Sequence, residues 1–240
     1  MKRTLTILLL AGLTYSVSAQ TPKAQRERQR PTFGIQAGVN ATKTVGTGYD
    51  GTKLKHDFIR GYHIGFNVEI PLSPSIYLQP GLRYITKGTK NTETTSLNTQ
   101  GTSTLNIRYA ELPLYFIFKA PVGKGRLLFG IGGTIAVGTG GKWKYDEAGT
   151  QNDGSGKVKF KNSYNTNDPN PEEYFYIRTL DASVGALVGY QFRNGIVFHA
   201  NGNYGLLNTA PELQASGGDQ EDIKHLAIGF TVGYRFKSKK

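Results

Sequence analysis

Residues Lys224–Phe236 read K-H-L-A-I-G-F-T-V-G-Y-R-F, and the period of this stretch is two. Leu226, Ile228, Phe230, Val232, Tyr234 and Phe236 take alternate positions, with Ala227, Gly229, Thr231, Gly233 and Arg235 between them. A strand points successive side chains to opposite faces, so one face is bulky and apolar and the other small or polar. The apolar stripe closes on aromatic residues, where a membrane strand meets the water interface. Lys237, Ser238, Lys239 and Lys240 follow at once. The pattern predicts the closing strand of a transmembrane β-barrel.

The beginning of the chain agrees with that destination. Lys2 and Arg3 precede an apolar run, Leu5 to Leu13, and Val17-Ser18-Ala19 supplies a small-residue cleavage site before Gln20, so residues 1–19 read as an export signal. No cysteine is present, which excludes disulfides, thiolate chemistry and lipid attachment at a cysteine. Nothing after the signal approaches the ~18 apolar residues of a membrane helix. Thirty-one glycines, 14 tyrosines and 12 phenylalanines suit strands in close contact with aromatic girdles. The net charge of +12 becomes +10 when Lys2 and Arg3 leave, and those charges scatter over loops and tail. Scatter and export together argue against nucleic acid.

Residues 20–31 are polar, basic and bounded by prolines, a flexible tail expected on the periplasmic side. The barrel is expected over residues 32–236, with 237–240 a basic extension. Eight alternating segments are legible: 32–41, 59–70, 75–86, 104–119, 126–138, 175–190, 196–206 and 224–236. Short turns join the second to the third, the fourth to the fifth and the sixth to the seventh, the last through Asn194-Gly195. The remaining connections are long, the longest being 139–174. Alternation of long and short is that of an up-and-down barrel with both termini at the short-turn rim. Pro80 is expected at a bulge, because it removes a ladder donor.

A soluble eight-stranded barrel would turn its apolar face inward. Here the second face is studded with glycine (Gly61, Gly65, Gly81, Gly130, Gly132, Gly185, Gly189), too small for a polar coat and suited to a crowded interior. Bulky residues therefore face lipid. Glu69, Arg83, Glu111, Asp181 and Arg235 then point inward, where charges must pair. An internal ion-pair network is predicted, either a structural filling or a gated ion path. On the outside, Trp143, Tyr145, Tyr164 and the row Lys157, Lys159, Lys161 form the candidate contact surface for a ligand or protein, unless that row is an upward extension of the strands.

The F-G-I-Q-A-G-V-N strand (33–40), the Y-A-E-L-P-L-Y-F-I-F-K strand (109–119), the S-A-Q signal end and the final G-Y-R-F (233–236) resemble the PorT-like outer-membrane β-barrel proteins of Bacteroidetes. The resemblance covers the whole mature chain. It implies an eight-stranded outer-membrane barrel, an insertion step on the barrel-assembly machinery and, for some members, a role in gliding or protein secretion. The extension 237–240 departs from the pattern, since such barrels end on the aromatic residue.

Catalysis and metal binding find little support. A lipid-modifying enzyme needs Ser, His and a carboxylate together, but His63, His199 and His225 fall on different strands and His56 in a loop, with no serine partner. Four scattered histidines without cysteine make no metal site. Gly130-Ile131-Gly132-Gly133 lacks the third glycine and the helix of a phosphate loop. The sequence thus predicts a monomeric, filled barrel without cofactor, of structural, adhesive or complex-forming role, touching outer-membrane lipid and lipopolysaccharide. A narrow channel and a lipid-modifying enzyme are the alternatives.

Overall fold

A computed structural model of the chain describes residues 30–48, 51–94, 100–149, 153–164, 174–213 and 221–236. The export signal, residues 20–29 of the tail and the 237–240 extension lie outside the described residues. Twelve strands follow in order: β1 Thr32–Thr47, β2 Ile59–Pro71, β3 Ile76–Thr94, β4 Gln100–Val122, β5 Gly125–Glu147, β6 Gly154–Phe160, β7 Ser163–Tyr164, β8 Tyr174–Ile177, β9 Leu180–Phe192, β10 Ile196–Gly205, β11 Glu212–Leu213 and β12 Asp222–Arg235.

Eight of them form a closed antiparallel ring, β1-β2-β3-β4-β5-β9-β10-β12. β12 returns to β1 over a continuous register from Gly34↔Arg235 to Thr47↔Asp222, so the ring has no free edge. The alternation in β12 and β1 sets that register: a slip of one residue would exchange every lipid-facing side chain for an interior one. Gly123 and Gly195, with φ of +57° and +99°, make two of the short turns that bring neighbouring strands back at one rim.

The outer face is apolar. Phe33, Ile35, Val39, Ile64, Phe66, Leu112, Leu114, Phe116, Ile131, Ile135, Val188, Ile228 and Phe230 are exposed, Ile131 by 69%. Water would not tolerate so continuous an apolar band on a soluble domain. Inside, glycine lets backbones and polar side chains approach. A Cβ on Gly38 would stand 2.1 Å from the Phe230 carbonyl oxygen and 2.6 Å from His63 Nε2.

Three features of the strands differ from the sequence reading. β3 runs on to Thr94, β4 starts at Gln100 and β5 continues to Glu147, so much of 87–103 and the start of 139–174 are ladder, not loop. The Thr-, Asn- and Gly-rich segment 87–103 is polar on both faces, which hides the period; Thr is nonetheless a good strand former once a neighbouring strand supplies hydrogen bonds. The segment read as one strand over 175–190 is divided, with β8 ending at Ile177 and β9 starting at Leu180. Likewise, the β2–β3 register is the same on both sides of Pro80, and the bulge falls instead in β5, where Arg108↔Gly140 gives way to Tyr109↔Gly138. The extra residue, Thr139, donates its hydroxyl to the Arg108 carbonyl at 3.0 Å. The bulge turns the inward alternation of β5 by one residue.

Candidate functional site: a filled bore and two dissimilar mouths

The inward positions of β4, Ile107, Tyr109, Glu111, Pro113, Tyr115, Ile117 and Lys119, section the bore from one mouth to the other. Near the long-connection mouth Ile107 and Tyr109 pack with Ile85, Ala136, Val158 and Ile177, with Leu105 and Phe160 against them. Val158 and Ile177 come from β6 and β8. β6 pairs with the extended part of β5, and β8 runs parallel beside β6. The longest connection therefore returns into the barrel and covers its mouth with apolar side chains.

Beside this cluster stands a chain of alternating charge. Arg83 Nε donates to Glu111 Oε2 at 2.9 Å; Lys87 Nζ sits 2.7 Å from Glu111 Oε1 and 3.0 Å from Asp181 Oδ2; His225 Nδ1 lies 3.3 Å from the same Asp181 oxygen. All five side chains are buried. Each carboxylate thus contacts two basic groups, as removal from water demands. Lys87 also lies over the Tyr109 ring, 5.1 Å from its centroid.

The middle of the bore is polar and tightly filled. His63 Nε2 and the Thr231 hydroxyl are 2.9 Å apart, and Tyr115 donates its hydroxyl to Asn203 Oδ1 at 2.7 Å. Cavities at this level hold about 20 Å³ each. A second apolar cluster follows, Tyr77, Tyr115, Ile117, Leu128 and Leu187. Beyond it, at the short-turn mouth, Glu69 receives Lys119 at 2.6 Å and Arg235 at 3.1 Å, and Lys119 also donates to Gln191 at 2.6 Å.

The five residues singled out from sequence are thus all interior, but they fall into two groups, Arg83, Glu111 and Asp181 in one and Glu69 and Arg235 in the other. Lys87, Lys119 and His225 complete the pairs and escaped the sequence reading. Lys87 opens the Thr-, Asn- and Gly-rich segment whose composition reads as a loop. Lys119 carries the same parity as Glu111 along β4, and that parity was the signal available. Among the described residues no group of three His, Asp or Glu side chains forms a metal site.

The expected outer contact surface is divided by the bulge. Trp143 and Tyr145 are half-buried, while Lys142 and Lys144, alternating with them, are exposed. Lys157 and Lys159 are exposed on β6 either side of buried Val158, so this row is an extension of the strands. Lys159 Nζ stands 3.4 Å from the Tyr174 ring centroid and Lys161 Nζ 5.1 Å from that of Tyr176. Lys144 hydrogen-bonds Asp146, which raises the pKa of the lysine. Tyr164 lies in β7, which pairs with β11.

A closed antiparallel ring with an apolar exterior and a charged, filled interior defines a transmembrane β-barrel. Residues 19–210 match the family described as Outer membrane protein beta-barrel domain; the chain belongs to that family and is a small barrel of the outer membrane. Among solved structures it is similar to Ail, the attachment invasion locus protein of Yersinia pestis, in complex with the heparin analogue sucrose octasulfate (18% identity, 86% of this chain and 99% of that one, TM-score 0.36). It is also similar to Neisserial surface protein A (11%, 85% and 97%, TM-score 0.40). OprG from Pseudomonas aeruginosa is a third (10%, 88% and 98%, TM-score 0.41). No curated protein matches the chain.

Proposed function

We propose that this protein is a closed outer-membrane barrel that carries no ions and acts through the strands it raises above the membrane. The observation that carries the reading is the filled bore: among the described residues, ion pairs and an apolar cluster under β6 and β8 occupy one mouth, and two mid-bore cavities hold about 20 Å³ each. Such a barrel is a rigid mount, and its binding residues sit at the rim. The short-turn rim and both termini then face the periplasm.

Beyond the apolar stretch of β5, the exposed Lys142, Lys144, Lys157 and Lys159 present ammonium groups suited to lipopolysaccharide phosphates, with half-buried Trp143 and Tyr145 on the other face of β5. The role is adhesive, structural or complex-forming rather than catalytic. The motifs at 33–40, 109–119 and 233–236 support a place in the PorT-like branch, and with it an association with protein secretion or gliding.

The test is photo-crosslinking in the native outer membrane from a reactive residue placed at Lys142 or Lys157. An adduct with lipopolysaccharide or one discrete protein is expected from both positions, and none from a lipid-buried control at Ile131. Ion conductance in planar bilayers with no specific adduct would overturn the reading.

A further inference from the structure

The two mouths of the barrel are unlike. At the short-turn end a cavity of about 730 Å³ opens along the bore, within the size range of small-ligand sites. Six cations line it, Arg30, Lys119, Lys124, Arg126, Arg193 and Arg235, against one carboxylate, Glu69. Glu69 is already engaged by Lys119 and Arg235. Arg126 donates Nη1 to the Tyr77 hydroxyl at 2.9 Å, a neutral partner. Among the described residues no ion pair joins Arg30, Lys124, Arg126 or Arg193 to a carboxylate.

We propose that this vestibule binds a compact multivalent oxyanion, bearing phosphate or carboxylate groups, that enters from the aqueous side. Three observations converge on it. Positive charge is in excess by five in a concave, largely polar space, where the summed field draws counter-ions. Arg235 lines the cavity, is 7% exposed, and its Nε has no hydrogen-bond partner among the described residues. Its Nη1 donates to the Thr32 carbonyl at 3.3 Å and its Nη2 meets Glu69 at 3.1 Å, so Nε is the donor left over, and a buried donor without a partner is costly. Finally, Thr32, Glu69, Tyr77, Lys119, Gln191 and Arg235 are interior positions, with the outward Phe192 and Phe236 at the rim, so the cavity follows the tube and opens at its mouth. Its occupant is a solute or a group carried by one, not a lipid of the surrounding leaflet.

The inference stands apart from the adhesive reading of the other rim, because its experiment uses the purified full chain in a non-ionic detergent. Titration calorimetry with inorganic pyrophosphate, and separately with citrate, is expected to give one saturable site at low salt. Tighter pyrophosphate binding assigns phosphate, and tighter citrate binding assigns carboxylate. The variant Lys124→Gln/Arg126→Gln/Arg193→Gln alters exposed side chains at the turns. It is expected to keep the folded electrophoretic mobility and to weaken binding at least about tenfold, as loss of charge-assisted hydrogen bonds requires. Lys142→Gln/Lys144→Gln/Lys159→Gln at the opposite rim removes the same charge and is expected to leave binding within about twofold. No saturable binding of either anion, or equal loss in both variants, would overturn the proposal.

Discussion

Lys87 Nζ, on β3, lies 3.0 Å from Asp181 Oδ2, on β9, and so bridges strands that are three places apart around the ring. The same ammonium reaches Glu111 at 2.7 Å. Backbone ladders hold only neighbours, whereas this contact ties the two sides of the barrel together through its interior.

Breaking one member of that chain is expected to cost more than deleting a pair. Glu111→Gln leaves Arg83 and Lys87 facing each other with one carboxylate fewer, and destabilisation of about 3–5 kcal/mol is expected. Arg83→Met with Glu111→Leu removes the pair and is expected to cost less than the single change. Urea titrations of the protein in lipid vesicles measure both.

Gly38 is held in place by backbone. Since an added Cβ would stand 2.1 Å from the Phe230 carbonyl oxygen, Gly38→Val forces β1 and β12 apart at the closing seam. A loss of about 1–3 kcal/mol is expected from overpacking of this kind. The folded fraction is read from the difference in electrophoretic mobility between unheated and boiled samples.

A charge on the outer face meets hydrocarbon. Ile131 sits near the middle of the apolar stretch of β5 and is exposed by 69%. Ile131→Lys is expected to cost about 2–4 kcal/mol of folding free energy in a bilayer. Lys142→Ile, farther up the same strand, is expected to change stability by less than about 0.5 kcal/mol, the usual range for an exposed site.

Deleting residues 146–170 tests what the longest connection does. It removes Val158 and Phe160 from the cluster at the mouth and shortens β5 by its last two residues, while leaving the other seven ring strands whole. The barrel is expected to fold, with Tyr109 and Ile107 newly open to solvent and increased binding of a hydrophobic dye. Failure to fold would make β6 part of the scaffold.

The ring was legible wherever one face was apolar and the other small. Leu226 to Phe236 and Tyr109 to Lys119 declare their faces by bulk alone, and with them the inward placement of Glu111 and Arg235. Legibility ended where both faces are polar. Thr89 to Thr94 are strand because β4 pairs with them, and no local period announces it; from Lys142 to Tyr145 lysine and aromatic alternate, but one residue out of step with the rest of β5 because of the bulge. The partners Lys87, Lys119 and His225 were obscured for a related reason. Which cation meets which carboxylate depends on the stagger of strands distant in sequence, and His225 meets Asp181 only because β12 closes the ring. The bulge at Thr139, which separates Trp143 and Tyr145 from the exposed lysines, has no signature beyond a glycine-rich stretch.

Every assignment above depends on which face meets lipid, and fluorescence quenching by brominated phospholipid measures that directly. The chain contains one tryptophan, Trp143, so a Trp143→Phe background is silent. In it, Phe116→Trp and Ile131→Trp on the outer face are expected to be strongly quenched in reconstituted vesicles, and Tyr115→Trp in the bore to be spared. Quenching of position 115 equal to or greater than that of position 116 would contradict the orientation of the whole barrel.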